Sequence, residues 1–200
     1  MTLSAFHPAV ISNAIARTAF LAFALVSMLA GSGNLAAQEK LKASAPVLVT
    51  SLGQSLDAFQ VQLAVRRAGI AFKYDAQATP DLLGEVKTLF LVVGASLKGF
   101  GDAGITIKDE LARAGQLLDA AKSRNIPVVV LHVGGEERRD ALSNQLIELT
   151  APRAQYLIVR NDSDADGMFA NIAKVGKIPL TSVENVINLR GPLQELFAGS

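Results

Sequence analysis

The stretch KTLFLVVGASLKGFGDAG, residues 87 to 104, sets an unbroken apolar run against a tail of glycines and small residues. A strand with one wet face alternates apolar and polar side chains, and this one does not. It therefore reads as a strand buried on both faces, which belongs to a parallel sheet covered by helices on either side. Working outward, PVLVTS (46–51), IPVVVLHVGG (126–135) and AQYLIVRND (154–162) repeat the pattern. Between them lie stretches with helical spacing: SLDAFQVQLAVRRAG (55–69), ITIKDELARAGQLLDAAKSRN (105–125), RDALSNQLIEL (139–149) and DGMFANIAKVG (166–176). IAFKYD (70–75) reads as a short alternating strand, TPDLLGEV (79–86) as a brief helical piece, and IPLTSV (178–183) as a last short strand before a helical tail. The alternation predicts one doubly wound α/β domain with a mostly parallel sheet, a three-layer sandwich of flavodoxin-like or Rossmann-like order.

The amino terminus reads differently. Arg17 precedes the apolar run TAFLAFALVSMLAG, and SGNLAAQ then offers small residues for cleavage after Ala37. Residues 1–37 are expected to be a signal peptide, 38–45 a linker and 46–200 the domain. The mature protein would be periplasmic or secreted. An uncleaved anchor is the competing reading, weakened by a run short of the ~20 residues a bilayer span needs. The chain has no cysteine, so neither a disulfide nor a lipid-modified cysteine is available.

Arg17 is the segment's one basic residue and the segment has no acid. Of the 19 basic and 18 acidic residues in the chain, the remainder keeps 18 of each. Tryptophan is absent and the basic side chains are scattered, so neither a phosphate-tracking patch nor a stacking platform exists. No nucleic-acid partner is expected.

In open α/β sheets ligands bind beyond the carboxyl ends of the strands, where strand order reverses. In this chain those ends carry TSLGQS, GASLKGFGDAG, HVGGEERR and NDSDADG. The expected ligand-binding residues are Ser51, Gly53, Gln54 and Ser55 in the first, and Gly94, Ser96, Lys98 and Gly99 in the second. His132, Gly134, Gly135 and Arg138 come from the third. Hydroxyls, backbone amides and an arginine in that arrangement suit an anionic group. Ser55 equally suits a helix N-cap, and GASLKGFGDAG is readable as a ligand-closing loop or as plain surface. Arg138 and Arg139 are read as opening a helix, an end that favours anions, so either Glu136 and Glu137 or a bound carboxylate or phosphate would offset them.

Several chemistries lack parts. GASLKGFG is neither a phosphate-binding loop nor a dinucleotide fingerprint, so no cofactor is expected. Ser96 approaches a nucleophile elbow but has Lys98 where the second glycine belongs, and no strand lies between Ser96 and His132 to supply an acid. DSDADG (162–167) begins like a calcium loop, yet Ala173 stands where a bidentate glutamate is required. One histidine outside the leader and no cysteine cannot fill a zinc site.

The stretches PVLVTSLGQSLDAF, KTLFLVVGASLKGFGDAGI, HVGGEERR and AQYLIVRNDSDADGMF resemble those of an uncharacterised bacterial family, the domain of unknown function 6305, over residues 45 to 197. The resemblance implies an exported protein with a single α/β domain, and it carries no catalytic residue over. Where that family's third-strand turn is Gly-Gly-Ser-Ser-like, this chain reads Gly94-Ala95-Ser96-Leu97.

Two functions follow as expectations. The first is an exported soluble protein binding a small anionic metabolite, such as a carboxylate, at the strand ends and serving a membrane transporter or sensor. The alternative is a small periplasmic hydrolase or transferase with His132 as general base, the imidazole pKa suiting neutral pH, and Ser96 as its candidate nucleophile.

Overall fold

In the computed structural model, Met1 and residues 41–198 are described. The expected signal peptide, apart from Met1, and the start of the linker lie outside the described residues. Residues Gln38–Ser200 group as one unit. Six strands, β1 (Val47–Leu52), β2 (Phe72–Tyr74), β3 (Thr88–Val93), β4 (Val128–His132), β5 (Tyr156–Arg160) and β6 (Leu180–Val183), form a single sheet in the order β2-β1-β3-β4-β5-β6. Every pairing is parallel. The α/β class is as the apolar strands predict, and the order is the flavodoxin-like one. The chain steps outward from β1 to β2, then returns past β1 to lay down β3, so order reverses between β1 and β3.

Because successive strand residues point to opposite faces, each apolar run feeds two cores. Leu48 and Leu52 of β1, Leu89, Leu91 and Val93 of β3, and Val128 and Val130 of β4 join the first. Helices α3 (Ile107–Ser123), α4 (Ala141–Thr150) and α5 (Met168–Gly176) cover that face with Leu117, Leu118, Leu146, Ile147 and Phe169. Val47, Val49, Phe90, Val92, Val129 and Leu131 face the other way. They meet Val61 and Val65 of α1 (Asp57–Arg67) and Leu193 and Leu196 of α6 (Arg190–Leu196). Each fully buried Leu, Val or Phe contributes about 1.5–3 kcal/mol of transfer free energy, so continuous apolar strands are what a two-sided sheet demands.

Three local expectations are corrected. GASLKGFGDAG is not an open loop: Leu97–Ala103 is a short helix, α2, because Ser96 Oγ accepts the Gly99 N–H at 3.1 Å and Gly104 closes it in a left-handed conformation. Ser55 does not cap α1; Leu56 occupies that position, with no side-chain cap. Arg138 and Arg139 do not open α4. They end a 3₁₀ turn, Glu136–Arg138, and Asp140 caps the helix through the Ser143 N–H at 2.7 Å. The acid that favours the helix start is thus supplied within the chain.

Candidate functional site

At the carboxyl ends of β1 and β3 the two loops are fastened together. Gln54 and Ala95 form an isolated bridge, Gly94 N–H donates to Leu52 O at 2.9 Å, and Ser96 N–H donates to Gly53 O at 2.8 Å. Gly53 has φ of +108°, and a Cβ there would stand 2.4 Å from Gly94 O. A Cβ on Gly99 would stand 2.0 Å from Gln54 O, so the first turn of α2 lies directly on the β1 loop. The glycines in these loops are therefore a packing requirement.

Beneath them lies a buried charge pair. Glu110, in the first turn of α3 and on its buried face with Ala114, Leu117 and Ala121, is fully buried. Its Oε1 accepts from Gly53 N–H at 2.7 Å and Gln54 Nε2 at 2.9 Å, while Oε2 accepts from Arg113 Nε at 2.8 Å. Arg113 in turn donates to Ala78 O at 3.0 Å, Thr50 Oγ1 at 3.3 Å and Ser51 O. Two charges buried together persist because their remaining donors and acceptors are filled. The result is a clamp that fixes the end of β1.

Above that clamp is a more open group. Ser55 Oγ–H donates to Asp57 Oδ2 at 2.9 Å. That carboxylate oxygen lies over the backbones of Gly94 and Gly134, where a Cβ would approach it to 2.8 Å and 2.6 Å. Arg138 folds across Gly134, its Nε 3.9 Å from Asp57 Oδ2 and its Nη1 3.5 Å from Ala95 O. Both contacts are long, and its side chain is 37% exposed. Its other guanidinium N–H groups make no hydrogen bond to the described residues. At the same strand ends the apolar side chains of Leu56 and Phe59 at the α1 entry and of Leu97 at the start of α2 are 74%, 48% and 78% exposed.

His132 points to the opposite face of the sheet. It is fully buried, its Nδ1 lies 2.8 Å from Val93 O, and its ring lies 5.4 Å from that of Phe169. Burial lowers its pKa from the ordinary value, with the Arg139 charge adding to the effect and the Val93 carbonyl and Asp57 opposing it. A carbonyl partner requires hydrogen on Nδ1, which leaves Nε2 as a buried lone pair without a protein partner. Next to it Arg139 is fully engaged. It donates to Asn144 Oδ1 at 2.9 Å, to Asp166 at 2.6 Å and to Ser163 O, and lies over the Phe169 ring.

The fold thus brings Gly53, Gln54, Ser55, Gly94, Ser96, Gly99, Gly134 and Arg138 to one end of the sheet. Ser51 is buried in β1 with Oγ unpartnered. Lys98 points outward and pairs with Asp102. Gly135, at φ +81°, lies under the Arg160 guanidinium, and His132 lies below the surface. Asp164 accepts from Phe169 and Ala170 N–H at the start of α5, which accounts for DSDADG as a helix cap. Among the described residues no group of three or more His, Cys, Asp or Glu could hold a metal ion, and no helix is long and apolar enough to cross a membrane. Sequence reasoning missed Asp57, Glu110 and Arg113. Glu110 had a signal: it falls on the apolar stripe of its helix, where a charge needs a buried partner. A groove of about 510 Å³ opens at the other end of the sheet, between Lys122, Ile126, Pro152, Arg153 and Ile178.

The chain belongs to the family described as Domain of unknown function (DUF6305), whose profile matches residues 44–197. No curated protein matches it. Among solved structures it is similar to the crystal structure of a GDSL-like lipase from Bacteroides thetaiotaomicron VPI-5482, at 11% sequence identity and a TM-score of 0.33. That likeness covers 80% of this chain and 76% of the other, and it is too distant to carry any residue over.

Proposed function

We propose that this member of the DUF6305 family is an exported soluble protein that binds a small anionic metabolite, with a carboxylate the best match, at the carboxyl ends of β1, β3 and β4, and serves a membrane transporter or sensor. The observation that carries the reading is Arg138. An arginine whose methylenes lie against Gly134, whose guanidinium makes only two long contacts and whose side chain is 37% exposed is a fork ready for a bidentate anion. Ser55 and the glycine backbones beside it supply short walls, with the Asp57 carboxylate lying over Gly94 and Gly134 and already taking the Ser55 hydroxyl. Export rests on Arg17 and the apolar run after it.

A thermal-shift screen of carboxylates, phosphates and sugar acids tests binding, since a ligand taken only by the folded state raises Tm by mass action. Arg138→Gln should sharply reduce the shift given by the best anion at a fixed concentration. Mass spectrometry of the protein from a periplasmic fraction tests export, with Gln38 as the expected first residue. Retention of Arg17 in a membrane pellet would replace the signal peptide by an anchor.

A second reading, His132 as a general base, draws support from one feature. The Val93 carbonyl fixes the tautomer that leaves Nε2 free to accept a proton. It needs a substrate to reach an atom that is buried, so an opening of the β4–β5 end would have to precede chemistry. In that case His132→Gln would leave substrate affinity nearly intact and lower turnover by roughly 10²- to 10⁴-fold.

A further inference from the structure

We infer that the bound anion is an amphiphile, a carboxylate bearing a straight apolar chain, whose head meets Arg138 and whose chain lies along Leu56, Phe59 and Leu97. The inference rests on the binding reading above and names the chemistry of its ligand. Most large apolar side chains of the described residues are buried, and six that are exposed beyond Met1 are Leu56, Phe59, Tyr74, Leu97, Val175 and Ile187. Three of these six, Leu56, Phe59 and Leu97, lie on the two segments that leave the carboxyl ends of β1 and β3. The Gln54–Ala95 bridge joins the two loops that carry them, and the contact of Gly99 with Gln54 O seats α2 beside the start of α1. Leu56 and Phe59 are three residues apart across the first turn of α1, a spacing that puts side chains on one face of a helix.

The same two segments meet the arginine. Arg138 reaches Asp57, the residue after Leu56, and Ala95, two residues before Leu97. One cation with unused N–H groups therefore reaches the two chain segments that carry Leu56, Phe59 and Leu97, an arrangement that matches a charged head and a hydrocarbon tail. Charge complementarity selects the anion: Asp57 is largely buried and already takes the Ser55 hydroxyl, while the Arg138 side chain is over a third exposed. Size selects the tail over a protein partner. Three side chains fall well short of the ~800 Å² that each partner contributes to a standard protein interface.

Titration calorimetry with butanoate, hexanoate, octanoate and decanoate on the full-length purified protein tests the inference. Each added methylene should tighten Kd by about two- to fourfold, the range for partial to complete burial of one CH₂. Octanol should bind at least about tenfold more weakly than octanoate, for want of a charged hydrogen-bond acceptor. The variant Leu56→Ser with Leu97→Ser should flatten the chain-length dependence, with decanoate losing the most affinity and butanoate the least. Both residues are exposed and serine suits the start of a helix, so this variant keeps the fold, which circular dichroism verifies. Arg138→Gln should weaken every member about equally and keep the slope.

Equal Kd values from butanoate to decanoate would overturn the amphiphile while leaving an anion site in place. A slope that survives in the Leu56/Leu97 variant would place the chain elsewhere and overturn it too. If none of the four binds while the thermal-shift screen finds another anion, the inference fails and the binding reading stands. If neither experiment finds a ligand, both fail. Concentration-dependent dimers lost in the Leu56/Leu97 variant would assign these side chains to a second copy of the chain and overturn the inference as well.

Discussion

Arg113 and Arg138 approach the same turn from opposite sides of the sheet and are used in opposite ways. Arg113 is nearly buried, ion-paired to Glu110, and spends its remaining N–H groups on Ala78 O, Thr50 Oγ1 and Ser51 O. Arg138 is over a third exposed and has two long contacts. A buried cation must be satisfied within the protein or the fold suffers, so Arg113 belongs to the scaffold. A partly exposed one can leave donors open at little cost, and Arg138 does. The pair divides the carboxyl end of β1 into a layer that holds the loop still and a layer that meets solvent. Under the proposed function, a ligand site built on a fixed loop would lose less entropy on binding.

The sharpest way to break the comparison is to remove the clamp. Glu110→Ala strands Arg113 in the interior and frees Gly53 N–H and Gln54 Nε2. Loss of one partner of a buried pair costs about 3–5 kcal/mol, so urea denaturation should show the midpoint collapsing. Glu110→Gln keeps an acceptor for Gly53 and should fall between it and wild type. A stability change under 1 kcal/mol in the alanine variant would show that Arg113 finds water, and the clamp would lose its meaning. Next in size is Gly99→Ala. A methyl group 2.0 Å from Gln54 O forces α2 off the β1 loop. The expected loss is about 1–3 kcal/mol, the scale of overpacking, and ligand affinity should fall with it because Leu97 moves relative to Leu56.

These effects also mark what the sequence makes legible. Leu89 to Val93, Val128 to Leu131 and Tyr156 to Val159 announce two-sided burial residue by residue, and the sheet follows from them. The glycines at 53, 94, 99 and 134 stand out in the sequence beside the strand ends, and the structure shows each packed tightly against a neighbouring segment. Their neighbours are harder to read. Glu110 and Arg113 lie 57 and 60 positions beyond Gly53, and nothing in local spacing says which loop a helix charge will meet. His132 shows the converse. A histidine ending a strand looks exposed in sequence, but the pleat alternation continues through it and turns its ring into the core beside Phe169.

His132 extends the comparison to pH. Burial lowers its pKa in the folded protein below the ~6.5 of the unfolded chain. The unfolded state therefore binds more protons below that value, and stability must fall as pH drops through about 6.5 toward the folded-state pKa. Val93 O, Asp57 and Gly135 favour its protonated form and Arg139 opposes it, with burial the largest cause. His132→Gln cannot titrate, so its Tm should be flatter from pH 7 to pH 5 than that of wild type. Parallel curves for the two proteins would show that His132 keeps its ordinary pKa and that its Nε2 reaches water.

The smallest expected effect on stability is also the most informative for function. Arg138→Gln removes a charge whose Asp57 pairing is loose and partly solvated, and such pairs contribute under about 1 kcal/mol. Urea midpoints for the variant and wild type should nearly coincide in the absence of ligand. Gly134 tolerates the change, because it is the arginine's own methylenes that lie against it and glutamine retains two of them. Binding should respond differently. A fork of charged N–H donors gives about 1.5–3 kcal/mol to an ionised partner, so anion affinity should drop by roughly 10- to 150-fold, and the remaining affinity should depend less on salt. Arg139→Gln supplies the control for charge alone. It removes the same positive charge from the next residue, but one already engaged by Asp166, Asn144 and Ser163, so it should lower stability and change affinity little. If the two variants trade these outcomes, the working cation is Arg139 and the site lies over β4 and β5, on the His132 side of the sheet.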